Sequence, residues 1–204
     1  TVSGTGSKVI VGNGTAACNF TVGSNHVLTA SVDVAANATI TLSTTGSITG
    51  ISFGTLAATS TVDFASTSSQ TIPVETYGNV TISGAKGTND VTFGGGMTIA
   101  GNLTITATGT SNSGFVYFNS GNQDRDFTIS GNYTQSGAID VEFGSGNGHS
   151  YIALGGNFSK TGGYMVTNGN TENGRFTMSG ANVTMQSNGG TEIKWIDFII
   201  ASGS

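Results

Sequence analysis

The sequence predicts an all-β protein, a parallel β-helix wound right-handed through about eight or nine coils. Two observations support this prediction: apolar and hydroxyl residues alternate in short runs, and one phrase recurs along the chain. Alternation with a period of two is the pattern of a strand that buries one face. A phrase that recurs at intervals of a few tens of residues indicates a solenoid, whose units bury apolar surface by stacking on one another.

The composition favours strands over both helices and disorder. Hydrophobic residues make up 36% of the 204 residues, charged residues make up 8%, and proline occurs once, at Pro73. Gly, Thr and Asn interrupt every window that would otherwise form an amphipathic helix, and all three have weak helical preference. Disordered chains are poor in β-branched and aromatic residues, whereas this chain alternates Val, Ile, Phe and Tyr with Thr and Ser.

Before residue 70 the strands are predicted from local patterns alone. The runs SKVIVGN, HVLTASVDV, ATITLSTTGSITG and STVDFA are rich in β-branched residues and are separated by turn residues. We expect irregular coils in 1–70, clearer repeats in 71–190 and an apolar terminal strand in 191–204. No linker divides the chain, so a single β-helix domain is predicted for 1–204. Because it begins with Thr1 rather than Met, we expect a processed product or an excerpt of a longer protein.

The recurring phrase centres on an Asn that is preceded by a small residue and followed by an apolar residue and then a hydroxyl residue. Five copies occur at somewhat uneven intervals, at Asn79, Asn102, Asn132, Asn157 and Asn182. By strand alternation, the residue after each Asn should face the core, together with the apolar residues three and five positions before it.

The repeated Asn predicts a structural ladder. With strands about 4.8 Å apart, the amides would stack along the axis and satisfy buried polar groups. We expect the side chains to face inward, and the Asn and the Gly before it to take up the left-handed conformation of a sharp turn. The phrase also creates N-x-Ser/Thr glycosylation acceptors, which an inward amide would hide. Acceptors outside the aligned set, Asn13, Asn19 and Asn37, are the better candidates for modification.

Charge limits the partners. The net charge is −5, and the six Lys and Arg residues are scattered singly. Nucleic acids and anionic membrane surfaces need a clustered basic face, so we predict neither as a partner. No apolar run reaches transmembrane length, so we also predict no membrane insertion. The only cysteine, Cys18, can form no internal disulfide and is expected to be a small buried residue.

Residues 60–84, STVDFASTSSQTIPVETYGNVTISG, and the following GGGMTIAGNLTITATG resemble the coils of large secreted repeat proteins of gliding and biofilm-forming Bacteroidetes-type bacteria. The later GNYTQSGAIDVEFGSGNG and GNFSKTGG are similar to further coils of these proteins. The resemblance covers most of the chain, most clearly 44–163. It implies a parallel β-helix displayed at the cell surface or outside the cell, in an adhesin or matrix component.

These patterns together predict a mechanical function, a stiff stalk or surface-display module, with no enzymatic activity and no cofactor. The expected partners are neighbouring modules or copies of the chain end to end, and surface glycans. The apolar segment EIKWIDFIIASGS would be one more core strand or a contact surface for the next module. A self-assembling extracellular filament or sheath subunit is the alternative within this class.

Two further functions stay open. An ice-binding solenoid would use a candidate outward binding face of regularly spaced hydroxyls, Thr81, Thr104, Thr106, Thr134, Ser159, Thr161 and Thr184. A polysaccharide-acting enzyme would need paired carboxylates, and the close pairs are Asp124 with Asp126 and Asp140 with Glu142. Such pairs are more commonly a solvated outer face.

No metal site is predicted. The loop GNQDRD (121–126) offers oxygens but lacks the spacing of known calcium loops, and His26 and His149 have no partner ligand at useful spacing.

Overall fold

The computed structural model describes residues 8–23, 30–43, 51–144, 147–167, 173–179, 185–187 and 192–201. Throughout these segments every regular element is a β-strand, and every strand pairs with its neighbours in parallel. The prediction of an all-β parallel solenoid is therefore confirmed. No helix in these segments has the length and apolar character needed to cross a membrane.

The first turns of the chain wind between two sheets. One, the entry sheet, consists of β1 (Lys8–Val11), β3 (Ser31–Val34) and β5 (Ser52–Leu56). The other, the ladder sheet, continues along the whole solenoid and has eight strands, β2 (Cys18–Val22), β4 (Ala38–Leu42), β6 (Thr61–Phe64), β9 (Asn79–Ile82), β13 (Leu103–Ile105), β17 (Tyr133–Gln135), β20 (Phe158–Lys160) and β23 (Met185–Ser187).

From residue 70 onward each turn visits three sheets instead of two. The carboxylate sheet comprises β7 (Gln70–Ile72), β11 (Val91–Phe93), β15 (Phe115–Tyr117), β18 (Asp140–Glu142) and β21 (Met165–Val166). The tyrosine sheet comprises β8 (Thr76–Tyr77), β12 (Met97–Ile99), β16 (Arg125–Ile129), β19 (Ser150–Leu154), β22 (Gly174–Met178) and β24 (Ile196–Ile200). A short two-stranded sheet, β10 (Ala85–Gly87) with β14 (Thr108–Gly109), lies beside them. The cross-section therefore widens along the axis.

The described residues form about seven turns, since eight stacked ladder strands are separated by seven steps. This is fewer than the eight or nine predicted. Several of the three-sheet turns are longer than the prediction assumed. The turn that joins Leu103 to its partner Tyr133 takes up more chain than the turn that joins Val80 to Leu103. The turn from Phe158 to Met185 is also a long one. The hand of the winding stays a prediction.

The core is a set of apolar columns along the axis. The residue after each described ladder Asn is fully buried, at Val80, Leu103, Tyr133 and Phe158. The apolar residues three and five positions before the Asn are buried as well, as predicted, at Met97, Ile99, Phe127, Ile129, Ile152 and Leu154. The Tyr133 and Phe158 rings stack with centroids 5.2 Å apart and an interplanar angle of 7°. Each turn thus covers the apolar surface of the previous one.

Polar side chains occupy the corners inside the solenoid, where the backbone leaves one sheet for the next. Lys86 is buried, and its Nζ donates to Phe64 O at 2.9 Å, Ser66 O at 2.6 Å and Gln70 Oε1 at 3.3 Å. Lys160 Nζ likewise donates to Gly163 O at 2.6 Å. Buried backbone oxygens at such corners need donors, and the Lys86 amine adds one to Phe64 O, which also accepts the backbone N–H of Ser83 at 3.2 Å. Two of the six Lys and Arg residues, Lys86 and Lys160, are therefore buried inside the solenoid.

The ends of the described stack are less covered. Ile200 pairs with the buried Met178, yet it is 73% exposed because no further strand covers β24. Ile10 of β1 is 66% exposed. Cys18 is half-buried against the core rather than fully enclosed, since β2 is an edge strand of its sheet.

Candidate functional site

The outward face of the ladder sheet carries two columns of polar side chains in register over seven strands. They lie on the same face because side chains two residues apart in a strand point the same way. One column consists of Asn19, Thr39, Thr61, Asn79, Asn102, Asn132 and Asn157, and the other of Thr21, Thr41, Asp63, Thr81, Thr104, Thr134 and Ser159.

The Asn residues form a ladder, but not by stacking amide on amide. The backbone N–H of Asn102 donates to Asn79 Oδ1 at 2.9 Å, that of Asn132 to Asn102 Oδ1 at 2.8 Å, and that of Asn157 to Asn132 Oδ1 at 2.8 Å. Each side-chain carbonyl therefore bridges to the backbone of the next turn. Asn79 Nδ2 donates to Ser60 O at 3.0 Å, which extends the series to the preceding turn.

The ladder side chains lie at the surface, which differs from the inward position expected. Asn79 is half-buried, and Asn102, Asn132 and Asn157 are exposed. The reason is alternation: the residue after each Asn fills the core, so the Asn must point away from it. Burial therefore does not hide these amides from a glycosyltransferase, which was the reason for expecting them to stay unmodified.

The Gly before each Asn serves close packing rather than a left-handed turn. None of Gly78, Gly101, Gly131 and Gly156 has a positive φ, and the non-Gly residues with positive φ in the described segments are Asn37, Asn112 and Trp195. A Cβ added to Gly101 would lie 2.2 Å from Asn79 Oδ1, and one added to Gly131 would lie 2.5 Å from Asn102 Oδ1. Only Gly leaves space for the amide below.

The last predicted copy of the phrase, Asn182, and the hydroxyl of Thr184 lie outside the described residues. The strand that follows them begins with Met185, whose backbone pairs with Phe158. The sequence alignment matches Val183 with Phe158, so the observed pairing lies further along the chain than predicted.

The predicted outward hydroxyls continue one another from turn to turn. Thr104 pairs with Thr81 on one side and with Thr134 on the other, and Thr134 pairs with Ser159. These four are half-buried, whereas Thr106 and Thr161 are exposed.

The upstream part of this column, Thr21, Thr41 and Asp63, was not predicted, although the alternation in CNFTV and ATITL indicates its first two members. Asp63 introduces a carboxylate, whose pKa is raised by burial even though Ser83 Oγ donates to it at 2.7 Å.

The pair Asp140 and Glu142 is buried rather than solvated. Asp140 is 2% exposed and accepts the N–H groups of Tyr164 at 2.8 Å and Asn112 at 3.0 Å. Glu142 is 5% exposed, and within the described part of the chain its Oε1 has no hydrogen-bond partner. Burial, and then the charge of Asp90, raises the pKa of Glu142 to about 7. In the adjacent strand Phe115 pairs with Asp140 and Tyr117 pairs with Glu142. Aromatic neighbours on the sheet thus replace solvent.

The two residues of the other acidic pair, Asp124 and Asp126, have different neighbours. Asp124 Oδ1 accepts the backbone N–H of His149 at 2.9 Å and lies 3.1 Å from its Nδ1, which lowers the pKa of Asp124. Asp126 pairs across the sheet with Tyr151. Between them, Arg125 turns inward, and its Nη1 donates to Phe93 O at 2.6 Å. His149 is a surface residue as expected, while His26 lies outside the described residues.

Among the side chains that the structure describes, no group of three or more His, Cys, Asp or Glu is placed to hold a metal ion. The outward face of the ladder sheet instead presents hydroxyl and amide groups at regular intervals, because its strands pair in register.

The fold and this face define a β-solenoid repeat protein. Comparison of the chain with protein-family models, curated proteins and solved structures gives no match. The resemblance to Bacteroidetes-type surface adhesins stays a prediction from the sequence.

Proposed function

We propose that the chain is a stiff extracellular module, a stalk or surface-display element of a bacterial adhesin or matrix protein. The observation that supports this most is the unbroken ladder sheet, in which eight strands stack in parallel with consecutive turns in register. A sheet that continues through every turn transmits force along the axis through many parallel hydrogen bonds. Such an element holds whatever it carries at a fixed distance.

The Gly-Asn pairs support the proposal because they add contacts between turns beyond the strand ladders. Each Asn Oδ1 accepts an N–H from the next turn, and the Gly beside that N–H fits closely over the amide. Neighbouring turns are therefore locked against sliding, as a rigid spacer requires.

The filament alternative has less support because the two ends of the described stack differ. The early turns have two sheets, whereas the later turns have three. A continuous self-polymer would repeat one cross-section along its axis, whereas the described turns change theirs.

An optical trap tests the proposed stiffness. Held between two stable reference domains, the chain should keep a constant length at forces that extend a Gly/Ser linker of equal residue number, which serves as the control. Such a linker has a root-mean-square end-to-end distance of about 5–6 Å × √n. Extension of the chain along the same curve as the linker would contradict the proposal. Antibody labelling of intact producing cells tests the extracellular location.

Ice binding is a second candidate, favoured by the hydroxyl column of the ladder sheet, whose members pair directly from turn to turn. Hydroxyls held on a flat rigid sheet can order the water between them. Thermal hysteresis at micromolar protein is the measurement. Thr134→Tyr, which interrupts the column, should abolish the hysteresis, and Thr98→Tyr on the tyrosine sheet should not. Absence of hysteresis in the unmodified chain removes this candidate.

A further inference from the structure

The outward face of the tyrosine sheet carries a column of acidic, aromatic and basic side chains, separate from the columns of the ladder sheet. Four consecutive turns bring Asp126, Tyr151, Arg175 and Asp197 into one column, since each pairs directly with the next. Two residues before Tyr151 in the chain, His149 lies beside this column. The five side chains form a strip along the solenoid axis, which we call the tyrosine strip.

The strip is held together by contacts between planar groups. The rings of His149 and Tyr151 are nearly parallel, with an interplanar angle of 4° and centroids 5.8 Å apart. The guanidinium of Arg175 lies 5.5 Å from the centroid of the Tyr151 ring, within the range of a cation–π interaction. These contacts fix the Tyr151 ring without burying it, as Tyr151 stays partly exposed.

Carboxylates flank the rings on both sides. Asp124 Oδ1 contacts His149 Nδ1 at 3.1 Å, and Asp124 Oδ2 lies 3.5 Å from the Tyr151 hydroxyl. On the next turns, Asp197 Oδ2 lies 3.4 Å from Arg175 Nη2. The side chains of Asp124, Arg175 and Asp197 are 55%, 45% and 38% exposed, so all three keep polar atoms open to a ligand.

Beside the strip the same strands present a low shelf of small side chains. Two residues further along the strands, Thr128, Ala153 and Thr177 pair across three turns, and Thr128 and Ala153 are exposed. On the next turn this row continues to Ile199, which pairs with Thr177 and is 42% exposed, so the strip lies beside a row of small side chains that ends at an apolar one. A ligand that lies there would follow the stacking direction of the strands.

We infer that the tyrosine strip binds a neutral polysaccharide whose chain lies along the solenoid axis. Flat aromatic and guanidinium groups pack against the apolar faces of sugar rings, and exposed carboxylates and Arg nitrogens exchange hydrogen bonds with sugar hydroxyls. Strands repeat about every 4.8 Å, comparable to the length of one sugar unit, so successive turns can meet successive sugars.

The charge balance of the strip selects against acidic glycans. Asp126 and Asp197 in the strip, and Asp124 beside it, outnumber the single Arg175, and the whole chain carries a net charge of −5. An anionic polymer would meet like charge along the full strip. The occupant is therefore a polysaccharide without carboxylate or sulfate groups.

Affinity electrophoresis, followed by titration calorimetry, tests this inference. The probes are hydroxyethyl cellulose, xyloglucan, yeast mannan and dextran, with alginate as the anionic control. At least one neutral polymer should retard the chain, and alginate should not. Tyr151→Ala should weaken the affinity about tenfold or more, the size of a lost ring contact. Tyr151→Phe keeps the ring and should stay within about threefold of the unmodified chain.

Matched variants separate the site from general effects. Tyr164→Ala removes a half-buried tyrosine that precedes β21 of the carboxylate sheet and should leave binding unchanged. Arg175→Gln, at an exposed position, should also weaken binding. If circular dichroism shows that Tyr151→Ala is unfolded, the affinity of Arg175→Gln tests the strip in its place. The inference is overturned if no neutral polymer binds, if Tyr151→Ala and Arg175→Gln bind like the unmodified chain, or if Tyr164→Ala loses as much affinity. A rod that is stiff in the trap but binds none of the probes would leave the mechanical proposal standing.

Discussion

Asn79 and Gly101 show how one residue pair acts across two turns. The side chain of Asn79 bridges to the N–H of Asn102, and the missing side chain of Gly101 leaves room for that bridge. The recurrence of Gly-Asn is visible in the sequence, but the amides were predicted to stack inward, whereas each described Oδ1 accepts the backbone N–H of the next Asn at the surface. The reason for the Gly was not predictable, because it depends on a side-chain atom that belongs to the preceding turn.

A double-mutant cycle tests this coupling. Gly101→Ala should cost about 2–3 kcal/mol of unfolding free energy because its Cβ meets Asn79 Oδ1. Asn79→Ala should cost about 1–2 kcal/mol through lost hydrogen bonds. In the double variant the Cβ no longer meets the amide, so the combined cost should be at least about 1 kcal/mol below the sum. Urea unfolding measures all four proteins, and strict additivity would contradict the close fit.

Glu142 predicts a dependence of stability on pH. Its pKa is raised from 4.5 to about 7 in the folded chain, so folding favours the protonated carboxyl. Its stabilising contribution is complete below pH 4.5 and is lost as the pH rises through about 7. At about 1.4 kcal/mol per pKa unit, a rise from 4.5 to about 7 corresponds to a loss of about 3–4 kcal/mol.

Glu142→Gln removes this contribution and should make the free energy of unfolding fall less between pH 5 and pH 8. Because other carboxylates titrate as well, the difference between the two proteins is the measured quantity. Glu192→Gln, whose side chain is 49% exposed, serves as the control and should follow the unmodified chain. Parallel curves for Glu142→Gln and the unmodified chain would contradict the burial of this carboxyl.

At the scale of the elements, the sequence predicts strands better than it predicts corners. Alternation in runs such as ATITL and NVTI identifies the inward residues, which are buried in the structure. The sequence does not predict the burial of Lys86 and Lys160, because lysine side chains are usually exposed. Their amines donate to backbone carbonyls at the corners. The burial of Asp140 and Glu142 is not predicted either, because the aromatic residues that enclose them come from other turns.

Lys86→Met tests the corner hydrogen bonds. The substitution keeps the length of the side chain but leaves Phe64 O, Ser66 O and Gln70 Oε1 without this donor. Burial lowers the pKa of Lys86 to about 8, and loss of that cost offsets part of the damage. We expect a net destabilisation of about 1–3 kcal/mol in urea at pH 7. Lys8→Met removes an exposed lysine paired with Asp33 and should cost less than about 0.5 kcal/mol. Equal effects would show that the corner amine is dispensable.

At the scale of the whole molecule, the repeat spacing predicts a solenoid but not its cross-section. The interval from Asn79 to Asn102 is shorter than the interval from Asn102 to Asn132, and this difference reflects loops and extra strands, which have no shared sequence pattern. Two features were therefore found only in the structure: the change from two sheets to three, and the strip on the tyrosine sheet.

The in-register stack along the ladder sheet is the central claim, and pulsed electron spin resonance distances test it most directly. In a Cys18→Ala background, spin labels at Thr21 and Thr134 are five strand steps apart, about 24 Å, and labels at Thr21 and Ser159 are six steps apart, about 29 Å. The structure predicts two narrow distributions that differ by one strand spacing. Broad distributions, or a Ser159 distance no longer than the Thr134 distance, would contradict the stack.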